Sequence, residues 1–335
     1  MAALTSSVGR GCAFLRSPQL LRQRLTARLA RTQEPGEASQ HVRWLLQDGD
    51  YGPLDGRAAR RRLIADVARL AQGEPLAYVL GTQPFAGLLL KCRAPTLIPR
   101  PETEEWGLRV ADLARSWLAT LPERERGIRV LDLCTGSGCL AMLLAHTLSK
   151  APGAAATRVV AADVSPSALA LAAENMHTLP SFAQPSVVRA DIFDDGDMAG
   201  LVRNGPFDLL VCNPPYIPAR DHASLDASVR LFEDRLALIG ELPAGAGADA
   251  DAPDGLIFYR RIAALLAEGR LLRRPHAPRQ CPSIVLEVGK GQAPAVQLLV
   301  EPFSERVEIW RDGFGVDRVV ASWLRSDESG RSTPG

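Results

Sequence analysis

The tetrapeptide Asn213-Pro214-Pro215-Tyr216 places an amide side chain, two prolines and an aromatic ring side by side. It follows the mostly apolar run 207–212, which is typical of a buried β-strand. Proline cannot donate a hydrogen bond to a sheet, so the strand has to end here, and each proline also keeps the residue before it extended. The sequence therefore predicts a stiff loop at the carboxyl end of a strand, where open α/β sheets bind their ligands.

The chemistry open to this loop is the binding of a flat group that carries N–H bonds. The Asn213 side-chain oxygen and the Pro214 carbonyl are two acceptors, and the Tyr216 ring can pack on a planar surface. A planar amide or base nitrogen is a poor nucleophile, because its lone pair is delocalised. Two acceptors that hold its N–H groups orient that nitrogen and favour the positive charge that develops as it is alkylated. Taken alone, the same tetrapeptide is equally compatible with a turn that merely ends a strand.

A second candidate site is the segment Asp132-Leu133-Cys134-Thr135-Gly136-Ser137-Gly138, which follows one predicted strand and opens a predicted helix. Glycines in such a turn let the backbone come close to a ligand. The segment is not a dinucleotide-binding fingerprint, since position 141 is alanine, and it is not a P-loop, since no lysine follows. The carboxylate of Asp132 would repel a pyrophosphate and suits a cationic ligand or an amino group.

Acidic residues also end the next two predicted strands. Asp163 follows strand 159–162 and can accept both hydroxyls of a ribose, and Asp191 follows strand 187–190 and can accept from an adenine amino group, with Ile192 and Phe193 against the ring. Each acid alone is more often a helix cap or a solvated loop residue. Three acids at three consecutive strand ends, beside a glycine turn, describe a site for a ribosylated adenine without phosphates and with a positive end. S-adenosylmethionine fits that description.

The elements that must position these residues alternate along the chain. Strands are predicted at 128–133, 159–162, 187–190, 207–212 and 283–288, and helices at 140–148, 166–176 and 256–267. This alternation predicts a doubly wound, mainly parallel sheet. The last two strands, 307–310 and 318–323, have no helix between them and predict an antiparallel hairpin. Helices at 38–48, 57–72 and 102–119 precede the sheet. The Ala/Gly/Asp/Pro-rich stretch 241–254 and the Pro-rich, basic stretch 273–282 are predicted loops.

Composition and charge argue against several other classes of protein. No apolar run is long enough to cross a bilayer, and the scattered histidines and cysteines predict no metal site. Residues 1–33 hold six arginines and no acid, with Leu21, Leu25 and Leu29 recurring every four residues. That pattern predicts a mitochondrial transit peptide, with a basic first helix of the folded protein as the alternative. The rest of the chain has 33 basic and 38 acidic residues, which argues against a nucleic-acid-binding surface.

In these motifs the chain resembles the HemK/PrmC family, the glutamine methyltransferases of class 1 peptide-chain release factors. The resemblance covers about residues 57–323 and departs from the family at Cys134, where glycine is usual, and at Asp234, where proline is usual. It is carried by the tetrapeptide and by the segments Gly73-Glu74-Pro75-Leu76-Ala77-Tyr78, Leu97-Ile98-Pro99-Arg100-Pro101-Glu102-Thr103-Glu104, Phe232-Glu233, Asp254-Gly255-Leu256 and Leu286-Glu287-Val288-Gly289.

The resemblance implies an α/β fold, a class I S-adenosylmethionine-dependent methyltransferase. Its Rossmann-like sheet would have seven mainly parallel strands and an antiparallel last hairpin, behind a small helical domain. Together with the sequence patterns, the resemblance gives the expected domain limits: a transit peptide at 1–33, a helical substrate-docking domain at 34–83, a hairpin linker at 84–100, the methyltransferase domain at 101–325 and a disordered tail at 326–335.

The resemblance also implies the site residues and the partner. S-adenosyl-L-methionine would be bound by Asp132, Cys134, Thr135, Gly136, Ser137, Gly138, Asp163, Asp191, Ile192 and Asn213. The catalytic residues Asn213, Pro214, Pro215 and Tyr216 would hold the glutamine amide in the Gly-Gly-Gln loop of a class 1 release factor, and the product would be N5-methylglutamine. The basic leader places this activity in the mitochondrial matrix, with no membrane or direct nucleic-acid partner expected.

Three alternatives stay open on the sequence. A related enzyme methylates a glutamine of a ribosomal protein, although the 98–104 stretch favours a release factor. Asn-Pro-Pro-Tyr also serves methyltransferases of adenine or guanine amino groups in DNA or RNA, which would need a basic groove. A non-catalytic binding module could keep the fold, but intact Asn213 and the three acids argue against it.

Overall fold

The computed structural model describes residues 18–49, 51, 56–123, 126–151, 154–180, 184–242, 253–275 and 279–326 of the 335-residue chain. All of the predicted 326–335 tail except Ser326, and most of the predicted 241–254 loop, lie outside these residues. The chain forms two compact units, of which one runs up to Thr82 and includes Asp226–Phe232, and the other comprises Gln83–Leu225 and the chain from Glu233. Within the described ranges, no helix has the length and apolar character needed to cross a membrane.

The first unit is built from amphipathic helices. They are α1 (Pro18–Leu29), α2 (Pro35–Asp48), α3 (Arg57–Ala71), the short α4 (Leu76–Leu80) and the single turn and a half Ala227–Phe232. Apolar residues recur at helical spacing in α1 to α3, so each helix presents one stripe to a shared core. That core contains Leu21, Leu25, Leu29, Val42, Leu45, Leu63, Val67 and Leu70.

Helix α1 overlaps the predicted transit peptide. Its Leu21, Leu25 and Leu29 are buried in the same core as Val42 and Leu63. Cleavage after residue 33 would remove these three leucines from the core, so the packing gives a physical reason for a leader to end before Pro18. The leader itself stays a prediction, because residues 1–17 lie outside the described part of the chain.

A hairpin of β1 (Thr82–Phe85) and β2 (Leu88–Lys91) precedes the seven-stranded sheet of the second unit. The strands of that sheet are β3 (Arg129–Leu133), β4 (Arg158–Asp163), β5 (Ser186–Arg189), β6 (Leu209–Cys212), β7 (Ile284–Glu287), β8 (Ser304–Arg311) and β9 (Asp317–Leu324). They lie in the order β5-β4-β3-β6-β7-β9-β8. Strands β3 to β7 are parallel, and β9 runs antiparallel to both β7 and β8.

Helices cover both faces of the large sheet. They are α5 (Pro101–Thr120), α6 (Cys139–Leu148), α7 (Pro166–Met176), α8 (Asp195–Val202), α9 (Ile257–Glu268) and α10 (Ala293–Val300). Successive strand residues point to opposite faces, so Val130 lies in one buried cluster with α5 and α6, and Leu131 lies in the other with α9 and α10. The predicted doubly wound α/β sheet with an antiparallel last hairpin is therefore confirmed.

The register of the parallel strands brings their carboxyl ends to one edge. Leu133 pairs with Ala162 of β4 and with Cys212 of β6, and Asp163 pairs with Arg189 of β5. The loops after β3, β4, β5 and β6 consequently leave the sheet side by side. Within the described residues, five short helices were not predicted from the sequence, namely α4, α8, α10, Ala227–Phe232 and Arg235–Leu238. They have four to eight residues and hence too few turns to show a 3.6-residue period.

Candidate active site

A cavity of about 270 Å³ lies at the carboxyl ends of the parallel strands. Seven of the residues predicted from the sequence line it, namely Cys134, Gly136, Asp163, Asp191, Ile192, Asn213 and Pro215. The other six are not among its lining residues, namely Asp132, Thr135, Ser137, Gly138, Pro214 and Tyr216. The glycine turn, two of the acids and the Asn213 loop, which are far apart in sequence, thus share one cavity.

Two further parts of the wall were not predicted. Thr96 and Leu97 come from the segment after the hairpin, and Asp234, Ala237 and Glu241 come from the segment that follows Glu233. These stretches have no strand or helix period that would have placed them. Leu97 belongs to a segment that carries the family resemblance and Asp234 was noted as a departure from the family, but neither observation reveals what these residues contact.

Asp163 ties the glycine turn to the loop after β4. Its Oδ2 accepts from the Gly136 backbone N–H at 2.9 Å, and its Oδ1 accepts from the Ser165 backbone N–H at 2.9 Å. Each carboxylate oxygen keeps lone-pair capacity for a further donor. Burial, with a smaller contribution from the neighbouring Asp234 carboxylate, raises the pKa of Asp163.

The glycine turn has an unusual backbone. Gly136 has φ of +56°, and the preceding Cys134 adopts φ of +61°, a left-handed conformation that side-chain-bearing residues rarely take. Cys134 therefore fills a position at which glycine would be unstrained, and its partly exposed side chain forms part of the cavity wall.

Asp132 lies beneath this turn and is fully buried. Its Oδ2 accepts from Thr135 Oγ1 at 2.5 Å and from the Ala141 backbone N–H at 3.0 Å, which fixes the turn to the first turn of α6. Its Oδ1 has no hydrogen-bond partner among the described residues. Burial raises the pKa of Asp132 to about 7, so the carboxylate gains or loses its charge near neutral pH.

The cavity is acidic and otherwise mainly apolar. Four carboxylates line it, from Asp163, Asp191, Asp234 and Glu241, and no lysine or arginine of the described chain does so. Phe193 and Phe258 form part of its apolar wall and meet edge to face, with ring centroids 5.0 Å apart. Such a site repels phosphates and suits a ligand with a flat apolar part, several hydroxyl or amino donors and a positive charge.

The Asn213 loop is held in place by hydrogen bonds to its backbone and side chains. Asn213 Nδ2 donates to Thr103 Oγ1 at 3.2 Å. Gln292 Nε2 donates to the Tyr216 carbonyl at 2.9 Å and to the Asp254 carbonyl at 2.9 Å. The Tyr216 hydroxyl lies 3.5 Å from Glu287 Oε1, and Tyr216 is not among the residues that line the cavity.

The described residues offer no candidate metal-binding site. No cluster of three or more His, Cys, Asp or Glu side chains in the described part of the chain is arranged to hold a metal ion. The cysteines that the structure describes are free thiols.

Known proteins resemble this chain over most of its length. Residues 109–242 match the family model described as the methyltransferase small domain. The chain is 34% identical over 257 residues to the release factor glutamine methyltransferase of Nitratidesulfovibrio vulgaris, across 76% of this chain and 74% of that protein. It is 37% identical over 278 residues to the protein of the same name in Cereibacter sphaeroides, across 81% and 82% of the two chains.

A fungal protein is similar along an even larger share. The probable MRF1 mitochondrial N(5)-glutamine methyltransferase mtq1 of Schizosaccharomyces pombe is 30% identical over 299 residues, which is 86% of this chain and 88% of that one. The resemblance that was predicted from the motifs is thereby confirmed. By its similarity to these relatives, the chain belongs to the release factor glutamine methyltransferase family and is a methyltransferase.

Proposed function

We propose that the protein transfers the methyl group of S-adenosylmethionine to the side-chain nitrogen, N5, of the glutamine in the Gly-Gly-Gln loop of a class 1 peptide-chain release factor. The observation that carries the proposal is the shared cavity, which has Asp163 and Asp191 in the same wall as Asn213 and Pro215. The names of the relatives supply the substrate class.

The residues of the cavity fit S-adenosylmethionine. Asp163 has carboxylate lone pairs left for the two ribose hydroxyls, Asp191 can accept from the adenine amino group, and Phe193 offers an apolar surface to the ring. The buried carboxylate of Asp132 adds negative charge beneath the turn, which favours a cation in the cavity. When bound, this cofactor supplies a methyl group on a positively charged sulfur.

Asn213 and Pro214 then act on the acceptor amide. The Asn213 side-chain oxygen and the Pro214 carbonyl accept the two N–H bonds of the glutamine amide, which points the nitrogen at the methyl carbon. The same two acceptors stabilise the positive charge that grows on the nitrogen during transfer. No base has to remove a proton beforehand, because the proton can leave to solvent after the new C–N bond has formed.

We place this activity in the mitochondrial matrix. The six arginines and absent acids of residues 1–33 and the name of the fungal relative support that placement. A fluorescent protein fused behind residues 1–40 should accumulate in mitochondria, and a diffuse cytosolic signal would contradict it.

The substrate assignment has a direct test. Full-length protein, labelled S-adenosylmethionine and a mitochondrial class 1 release factor should give a labelled factor, whereas a factor with Gly-Gly-Ala should stay unlabelled. Equal labelling of the two factors would show that the methyl group goes to another residue.

A further inference from the structure

The Asn213 side chain can face its substrate in two ways that have nearly the same shape. One orientation presents the oxygen, an acceptor, and the other presents the NH₂ group, a donor. The proposed reaction needs the acceptor, because a donor would confront the N–H bonds of the glutamine amide. This inference rests on the proposed function and concerns what fixes the orientation.

We propose that Thr103 is a positioning residue that fixes the orientation of the Asn213 amide, with Glu287 setting the polarity of Thr103. The Thr103 hydroxyl has one proton and donates it to Glu287 Oε2 at 2.6 Å. Its oxygen can then only accept a hydrogen bond, and it accepts one from Asn213 Nδ2 at 3.2 Å. The NH₂ end of Asn213 is thus tied to α5, and its oxygen is the end left for the substrate.

Trp106 fixes the direction of the first of these hydrogen bonds. Its indole N–H can only donate, and it donates to the same Glu287 Oε2 at 2.8 Å. Glu287 Oε2 therefore accepts from Trp106, and it accepts from Thr103 as well when the carboxyl group is ionised or carries its proton on Oε1. In both of these states the hydroxyl proton of Thr103 points to Glu287 Oε2.

The cluster of Thr103, Trp106 and Glu287 is buried, so its hydrogen-bond directions are set by the protein groups alone. Thr103 is 2% exposed, Trp106 4% and Glu287 1%, so water is excluded as an alternative partner for their inner polar atoms. The backbone beneath Glu287 is held as well, because the Tyr259 hydroxyl donates to the Glu287 carbonyl at 2.7 Å. Three elements thus meet at one carboxylate, namely α5, the Asn213 loop and β7.

The discriminating pair of variants is Thr103→Val and Thr103→Ser in the full-length protein. Valine keeps the shape and removes the hydroxyl, so the Asn213 amide is freed to turn. We expect kcat for methyl transfer to the release factor to fall roughly 10- to 50-fold. The dissociation constant for S-adenosylhomocysteine and the KM for the factor should stay within about twofold, because neither ligand contacts Thr103 in this scheme. Serine retains the hydroxyl and should keep kcat within about threefold.

The Glu287→Gln variant distinguishes the direction of the Thr103 hydrogen bond from the negative charge of Glu287. Trp106 requires an oxygen opposite its N–H, so the glutamine should present its oxygen to Trp106 and Thr103 and its NH₂ group to Tyr216. Thr103 would then still donate to residue 287, and kcat should stay within about fivefold of wild type. A Glu287→Gln variant as slow as Thr103→Val, with unchanged cofactor binding, would overturn the polarity argument.

A readout that does not depend on the substrate is the ¹⁵N NMR signal of the Asn213 side-chain NH₂, assigned by its loss in Asn213→Asp. One of its protons should exchange slowly with solvent in the wild type and Thr103→Ser, and quickly in Thr103→Val. This outcome can be obtained even if the release factor proves not to be the substrate. Unchanged exchange in Thr103→Val, or a normal kcat for that variant, would refute the positioning role.

Discussion

Gly255→Ala should displace the loop that carries Asn213, and its cost can be worked out from the structure. A Cβ built on Gly255 would lie 2.1 Å from the Tyr216 carbonyl oxygen and 2.9 Å from Gln292 Nε2. Those two atoms form the 2.9 Å hydrogen bond that holds the loop. Gly255 also has φ of +73°, which a residue with a Cβ adopts only under strain. Either the loop or the Asp254–Leu256 turn has to move.

Three contributions add to the loss of stability. The left-handed conformation costs about 1 kcal/mol for alanine, the steric overlap about 1–3 kcal/mol, and a broken hydrogen bond about 1 kcal/mol. The free energy of unfolding should therefore fall by roughly 3–5 kcal/mol. Gly269→Ala is the matched control, because Gly269 has φ of +69° and no atom within 4 Å of the new Cβ. That variant should lose only about 1 kcal/mol.

The assay is urea unfolding of both full-length variants, followed by methyl transfer under conditions where both are folded. Gly269→Ala should keep the wild-type kcat, whereas Gly255→Ala should lose most of it, because Asn213 lies three residues before the displaced Tyr216. If Gly255→Ala unfolds at the same urea concentration as Gly269→Ala and transfers methyl groups normally, the tight packing behind the loop does not support the site.

Two further predictions concern charge and the amino terminus. Burial raises the pKa of Asp132 to about 7, so ionisation of this group in the unfolded chain lowers the stability of the cofactor-free protein as the pH rises from about 4 to 7. Its ionisation in the folded protein increases the affinity for a cation as the pH rises towards and past about 7. Calorimetric titration with S-adenosylmethionine should show the affinity falling roughly five- to tenfold from pH 8 to pH 5.5. The Asp132→Asn variant should lose most of that pH dependence. If the affinity of the variant changes with pH as much as that of the wild type, Asp132 is not the cause of the dependence. Removing residues 1–17 should leave the urea midpoint unchanged. Removing residues 1–33 should lower it, because that truncation deletes three buried leucines, which contribute about 5–9 kcal/mol of apolar burial. Equal midpoints for the two truncations would show that α1 does not stabilise the helical unit.

The predictable part of the molecule is the part with local signals. The strands could be predicted because they are apolar runs. The acids at the ends of β3 to β5 could be placed at one edge of the sheet because parallel strands run in the same direction. Asn213 was found by its prolines, which forced the end of β6.

What sequence could not supply is contact across long separations. Thr103 and Glu287 are 184 residues apart, and neither the helix period of α5 nor the apolar run of β7 indicates that they meet. Asp234 and Glu241 line the cavity from a segment without a long regular element. The limit of the predicted leader also depended on packing, because a leucine every four residues suits a targeting helix and a core helix equally well.

The central claim is that Asn213 acts on the acceptor amide while the acids of the same cavity hold the methyl donor. The measurement that tests it most directly is kcat for methyl transfer to the release factor by Asn213→Ala, taken together with the dissociation constant for S-adenosylhomocysteine. Loss of one preorganised acceptor should lower kcat about 10²- to 10³-fold, with the dissociation constant within a fewfold of wild type. A variant that transfers methyl groups at the wild-type rate when saturated, and differs only in weaker cofactor binding, would contradict this role for Asn213.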